Sequence, residues 1–285
     1  MPIDQFDRQA YKFKHKLLGH PALSLENLAN VIPALNRHQV MFTDRMLETA
    51  ADFEGTFRER PRDRSIEETI ERIRTSDSYI MVKSPEYHDS FRDLYADLIS
   101  DVEQTMRLRG ISGHALDAQL YLFIASPNSI TPFHIDRYST FLMQFRGSKQ
   151  VTVFPPWDEK VVSRRDREAY VAYTSTRLNW SPSLDALGET YQFSPGDSLH
   201  IPFVAGHHVR NGPEDVSISL SIIFNTPETR VQLAAMRWNH WLSKTSGIKS
   251  TPVPGGRLRD RTKATAWLTM RKCAELKAKV MSARS

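Results

Sequence analysis

Thr131-Pro132-Phe133-His134-Ile135-Asp136 is the stretch on which the reading of this chain turns. In a β-strand or strand end, residues two apart point to the same face. His134 and Asp136 therefore offer an imidazole nitrogen and a carboxylate oxygen to one point. A third ligand from a distant strand would complete a facial triad with open positions. That arrangement suits non-haem Fe(II), which must bind a co-substrate and oxygen together. A His-x-Asp pair by itself is common and on a surface strand carries no chemistry. The stretch Phe193-Ser194-Pro195-Gly196-Asp197-Ser198-Leu199-His200-Ile201-Pro202 raises its value. It reads as a turn followed by a short strand, and Phe203-Val204-Ala205-Gly206-His207-His208-Val209 then brings a His pair back into play. Two facing antiparallel sheets would bring both segments to one mouth.

Outward from this pair, residues 114–226 have one texture. Runs rich in β-branched and aromatic residues (119–125, 139–145, 150–154, 198–201 and 216–224) alternate with turn formers such as Ser126-Pro127-Asn128, Arg146-Gly147-Ser148 and Asn211-Gly212-Pro213. Short strands spaced in this way predict a sandwich or barrel rather than a parallel α/β sheet. Residues 1–113 read as a mostly helical region packing on that core, with apolar spacings of three and four in 24–34, 66–73 and 91–106 and one β-rich run at Tyr79-Ile80-Met81-Val82-Lys83. Residues 227–285 read as a C-terminal helical extension: a first helix over 228–243, a Pro/Gly-rich link, and a second helix over about 260–280. The expected architecture is a mainly β core with flanking helices.

The ordered set of motifs resembles the JmjC/cupin-like (cupin-8) Fe(II)- and 2-oxoglutarate-dependent oxygenases, the family that includes the asparaginyl hydroxylase inhibiting hypoxia-inducible factor. The family pattern T-P-x-H-x-D, then Lys, then F-P-P, then G-D-x-x-x-x-P-x-x-x-x-H reads here as Thr131, Pro132, His134, Asp136, Lys149, Phe154-Pro155-Pro156, Gly196, Asp197, Pro202 and His207. The resemblance implies a double-stranded β-helix (jelly roll) in which His134, Asp136 and His207 hold the iron. His208 competes for the third place; the spacing from Pro202 selects His207, and strand alternation would then turn His208 away. The same resemblance makes Lys149 the cation for the far carboxylate of 2-oxoglutarate, since a buried point charge is what that carboxylate requires. Thr131 would add a hydroxyl. Tyr121, Thr140 and Ser221 follow as lining of the co-substrate pocket; Ser221 stands where the asparaginyl hydroxylase carries Asn, a departure that leaves its role open.

Residues 157–190 form an insertion between barrel strands, and long connections in compact domains tend to be functional. A lid or substrate rim is expected there, with Trp180 from the insertion and Arg137 and Tyr138 from just after the ligand Asp. Trp238, Trp241 and Leu242 share a face of the first C-terminal helix, which would suit packing on the barrel or a homodimer.

Composition narrows the remaining classes. The chain of 285 residues is 40% hydrophobic and 25% charged, with a net charge of +5. Its basic residues are spread out rather than clustered with aromatics, which argues against a nucleic-acid surface. There is no apolar run long enough for a membrane span and no secretory-type start. Cys273 is the only cysteine, so an internal disulfide and a thiolate metal cage are excluded and a reducing cytoplasm is the expected setting. Protein or peptide hydroxylation is the leading expectation. A small-molecule (natural-product) hydroxylase and a non-catalytic cupin-like metal- or ligand-binding regulator are the alternatives.

Overall fold

The computed structural model describes residues 6–57, 65–111 and 113–282. The N-terminal part contains β1 (Tyr11–Lys14), α1 (Leu25–Ala34), β2 (Val40–Thr43), α2 (Phe53–Thr56), α3 (Ile66–Arg72), β3 (Tyr79–Lys83) and α4 (Asp89–Leu108). Then come β4 (Leu116–Ala125), β5 (Ile130–Ile135), β6 (Ser139–Arg146), β7 (Lys149–Val153) and α5 (Arg164–Val171). The chain continues through β8 (Glu189–Phe193), β9 (Asp197–Ile201), β10 (Gly206–Asn211), β11 (Ser217–Asn225), α6 (Pro227–Ser246) and α7 (Arg257–Ser282).

The strands form a seven-stranded sheet in the order β1-β9-β6-β11-β4-β3-β2 and a four-stranded sheet in the order β5-β10-β7-β8. From β4 onwards the chain repeatedly changes sheet, which is the double-stranded β-helix expected from the sequence. Gly147 makes one of these crossovers: its φ is +66°, and a Cβ there would lie 2.6 Å from the Val216 carbonyl oxygen. The sequence did not reveal β1, β2 or β8. Each is short, and its pattern is completed only by its neighbours in the sheet.

Strand alternation explains which side chains meet which layer. On β11, Ile218, Leu220, Ile222 and Phe224 join the apolar cluster beneath α1 and α4, together with Phe91, Leu94 and Leu98. Ser219 and Ser221 point the other way, into the space between the sheets. Leu142, Leu199, Ile201, Val151, Val153 and Val209 close that space from both sheets. A third cluster covers the outside of the small sheet, where Phe133 and Phe154 meet Val162 and Tyr170 of the insertion and Leu233 and Met236 of α6. α7 packs on α6 and leaves Leu258, Leu268 and Leu276 exposed. Among the described residues no helix is long and apolar enough to cross a membrane.

Strand β1 is fastened to the barrel by charge. Lys12 and Lys14 contact the buried Asp197 carboxylate at 2.8 and 2.5 Å, and the same carboxylate accepts the Ser194 N–H at 2.8 Å. Burial works against ionising Asp197, yet the two ammonium groups hold its carboxyl down to about 2. A carboxyl depressed in the folded state stabilises above its unfolded value and loses that contribution as pH falls towards the folded one. Asp197→Asn is thus expected to cost about 1–3 kcal/mol at neutral pH. Urea titrations should show the difference from wild type shrinking between about pH 4 and pH 2; a constant difference across that window would refute the assignment.

Candidate metal centre

β5 is an edge strand of the small sheet, and it is there that a proline is tolerated. Pro132 has no N–H to give to a ladder, and the pairing with β10 slips at this point: His207 faces His134, but Val209 faces Thr131. The extra residue turns both Thr131 and His134 into the cavity, which strict alternation would forbid. Asp136 follows at the strand end. On β10, Gly206 lets the backbone pass the Phe133 ring, which would lie 2.8 Å from a Cβ.

His134, Asp136 and His207 are brought together with one potential ligand atom from each, all within 4.8 Å of one another. The Nδ1–H of His134 donates to the Pro132 carbonyl at 2.7 Å, and that of His207 to the Ala205 carbonyl at 3.0 Å. Fixing Nδ1 as the protonated nitrogen leaves each Nε2 lone pair for a metal. Burial and the neighbouring His207 push His134 well below the ordinary histidine range, so it is held neutral. Thr140 Oγ1 donates to Asp136 Oδ2 at 2.9 Å, so the Thr140 hydroxyl is committed to the carboxylate. His208 points away, its Nε2 at 2.9 Å from Asp185.

A cavity of about 410 Å³ runs from this cluster between the sheets. The register sets its rungs. Thr140 faces Ile223; next, Leu142 faces Ser221, which faces Tyr121; next, Gln144 faces Ser219, which faces Phe123. Lys149 reaches in from β7 and donates to Ser219 Oγ at 2.8 Å. Lys149 is 6% exposed and has no acidic partner among the described residues. Burial lowers its ammonium to about 7. Ser221 and Tyr121 thus line the cavity between the triad and Lys149. Burial pushes the Tyr121 hydroxyl far up, so it is a neutral donor or acceptor. Thr131 Oγ1 lies 3.0 Å from the Tyr79 hydroxyl.

The roof comes from elements that the sequence did not link to the site. Phe53 of α2 lies 4.4 Å from the His134 ring, and Glu54 pairs with Arg137 at 2.5 Å. Arg137 also donates through Nε and Nη2 to the Tyr170 carbonyl, and its guanidinium lies against the Tyr170 and Tyr173 rings at 4.3 and 3.7 Å. Arg137, expected at the substrate, lines the cavity and also ties the insertion and α2 over the His134–Asp136–His207 cluster. Tyr138 lines the cavity. Trp180 does not: it lies edge-on to His208 at 5.7 Å, on the outer face of β10, and its Nε1 donates to Asp185. Trp180, expected at the substrate rim, thus lies outside the cavity, because alternation on β10 puts His208 and its covering loop on the far side from His207. Phe53, Glu54, Tyr79 and Ser219 were not anticipated. Only Ser219 left a signal, by sharing a strand face with Ser221.

Residues 43–230 match the Cupin-like domain family. Among solved structures, the chain is similar to the ribosomal oxygenase YcfD of Escherichia coli, with 13% identity and a TM-score of 0.50 over 93% of this chain and 63% of that one. A structure of YcfD in complex with cobalt and 2-oxoglutarate gives 13% identity and a TM-score of 0.49, over 97% and 64% of the two chains. The chain spans less than two thirds of the length of YcfD in these comparisons, and at this identity the likeness is one of fold. Sheet order and motif order agree with a sequence match covering well over half of the residues: this chain belongs to the Cupin-like domain family.

Proposed function

We propose that the protein is an Fe(II)- and 2-oxoglutarate-dependent oxygenase that hydroxylates a protein or peptide side chain. The observation that carries this reading is Lys149, a buried cation with no counter-charge among the described residues, facing the same cavity as a His-Asp-His cluster. Burying an unpaired ammonium is costly, and an anionic ligand in that cavity would offset the cost. A dicarboxylate fits both ends: one carboxylate with Lys149 and Ser219, and the other with an ion held by His134, Asp136 and His207. Two imidazoles and one carboxylate with open positions suit Fe(II). When bound, iron and 2-oxoglutarate supply the oxidising chemistry, in which decarboxylation to succinate is coupled to hydroxylation of a substrate C–H bond.

The chain's own residues prepare that site. Carbonyls orient the two imidazoles, Thr140 orients the Asp136 carboxylate, and Phe53 with the Arg137-tethered roof keeps water from the histidine side. The fold shared with a ribosomal oxygenase supports a macromolecular substrate over a free metabolite. A chain whose single cysteine stands exposed and needs no oxidation suits the reducing cytoplasm, where ferrous iron persists.

Anaerobic reconstitution with Fe(II), followed by aerobic succinate release measured separately with peptide and metabolite pools, tests the reading. Succinate formed with the peptide pool and lost in Asp136→Ala is the expected result. Turnover with the metabolite pool alone would identify a small-molecule hydroxylase. Tight metal binding without turnover in any pool would identify a binding regulator.

A further inference from the structure

We infer that Val204 is a positioning residue that sets His207 against Asp136 through a left-handed backbone turn. The inference rests on the metal-triad reading above and adds a residue to it. Val204 has φ +55°, a region that β-branched residues almost never adopt. It occupies the third position of a turn closed by the Ala205 N–H to the Pro202 carbonyl at 3.0 Å, a place where positive φ ordinarily asks for Gly or Asn. Such strain persists only where surrounding structure over-determines it. Here the side chain is 1% exposed, locked among Phe203 and the insertion and α6 residues of the same apolar cluster.

What the turn connects gives the strain a purpose. The Val204 N–H donates to the Asp136 carbonyl at 3.2 Å, and the carbonyl of the following residue, Ala205, accepts from His207 Nδ1 at 3.0 Å. The two-residue step Val204-Ala205 therefore links the Asp136 backbone to the imidazole that completes the triad. With glycine at 204 the same hydrogen bonds are sterically allowed, but the anchor that holds the turn in one conformation is gone.

Co(II) titration with visible ligand-field spectroscopy tests this, using wild type, Val204→Gly, Val204→Ala and the core control Val162→Ala. Alanine removes the same γ-carbons and disfavours positive φ, which keeps the test open if the glycine variant does not fold. Val204→Gly is expected to bind Co(II) about ten- to a hundredfold more weakly, the range typical for loss of a group that orients ligands. Its Co(II) spectrum is expected to change as well. Val162→Ala is expected to lower thermal stability with unchanged affinity and spectrum. Wild-type affinity and spectrum in a folded Val204 variant would overturn the inference while leaving the triad intact. Failure of wild type itself to bind Co(II) would instead overturn the metal reading on which it rests.

Discussion

Replacing Lys149 by methionine is expected to abolish useful 2-oxoglutarate binding while making the ligand-free protein more stable. The two effects have one origin. Among the described residues Lys149 is buried with a hydroxyl partner and no acid, and burial drives its ammonium down to about 7. A lysine whose folded value lies below its unfolded one binds fewer protons when folded, so it penalises folding wherever the unfolded chain is protonated. That penalty is full below about pH 7 and fades as pH rises towards 10.5, the ordinary lysine value. Exchanging a buried charge for an apolar side chain of similar length removes it, for a gain of about 1–3 kcal/mol. The anion, in contrast, loses its counter-ion, which costs about 2–5 kcal/mol, or roughly thirty- to several-thousand-fold in affinity. Calorimetry with 2-oxoglutarate and thermal melts without it measure the two sides separately. A variant that is less stable and still binds 2-oxoglutarate would show that Lys149 is a structural side chain.

The second large effect concerns the adjacent histidines. His207→Ala is expected to lose more metal affinity than the roughly 10–100-fold that an outer-sphere partner contributes, because it deletes one of three ligand atoms. His208→Ala is expected to leave metal binding within a factor of about three, since its imidazole faces Asp185 and Trp180 on the other side of β10. Competition titrations with a chromophoric chelator resolve both. Equal losses in the two variants would mean that the strand register of β10 has been misjudged.

Much of the fold was legible because strands buried against helices on one side and a polar cavity on the other must alternate. The stretch Ser217-Ile218-Ser219-Leu220-Ser221-Ile222 declares both faces by itself. The His134–Asp136–His207 cluster was legible because His134 and Asp136 are two apart and the family pattern counts from Pro202 to His207. Other features had no local signature. The bulge that turns Thr131 inward exists only in the pairing of β5 with β10. Glu54 belongs to a four-residue helix and gains its meaning from Arg137, 83 positions away. The place of Trp180 had no local signature either: a loop's composition says that it is aromatic, but not which face of β10 it covers. Arg137 was expected at the substrate because it follows Asp136; its position in the chain gave no sign of the two tyrosine rings and the Glu54 carboxylate that also engage its guanidinium.

The central claim is that one cavity holds a metal at the His134–Asp136–His207 cluster and a dicarboxylate between that metal and Lys149. A crystal structure grown anaerobically with Fe(II) and 2-oxoglutarate, with anomalous data at the iron edge, tests it most directly. The expected result is an iron peak within bonding distance of His134 Nε2, an Asp136 oxygen and His207 Nε2, with 2-oxoglutarate density running from the iron to Lys149 Nζ and Ser219 Oγ. Iron bound elsewhere, or a cluster occupied by iron while 2-oxoglutarate lies away from Lys149, would contradict it.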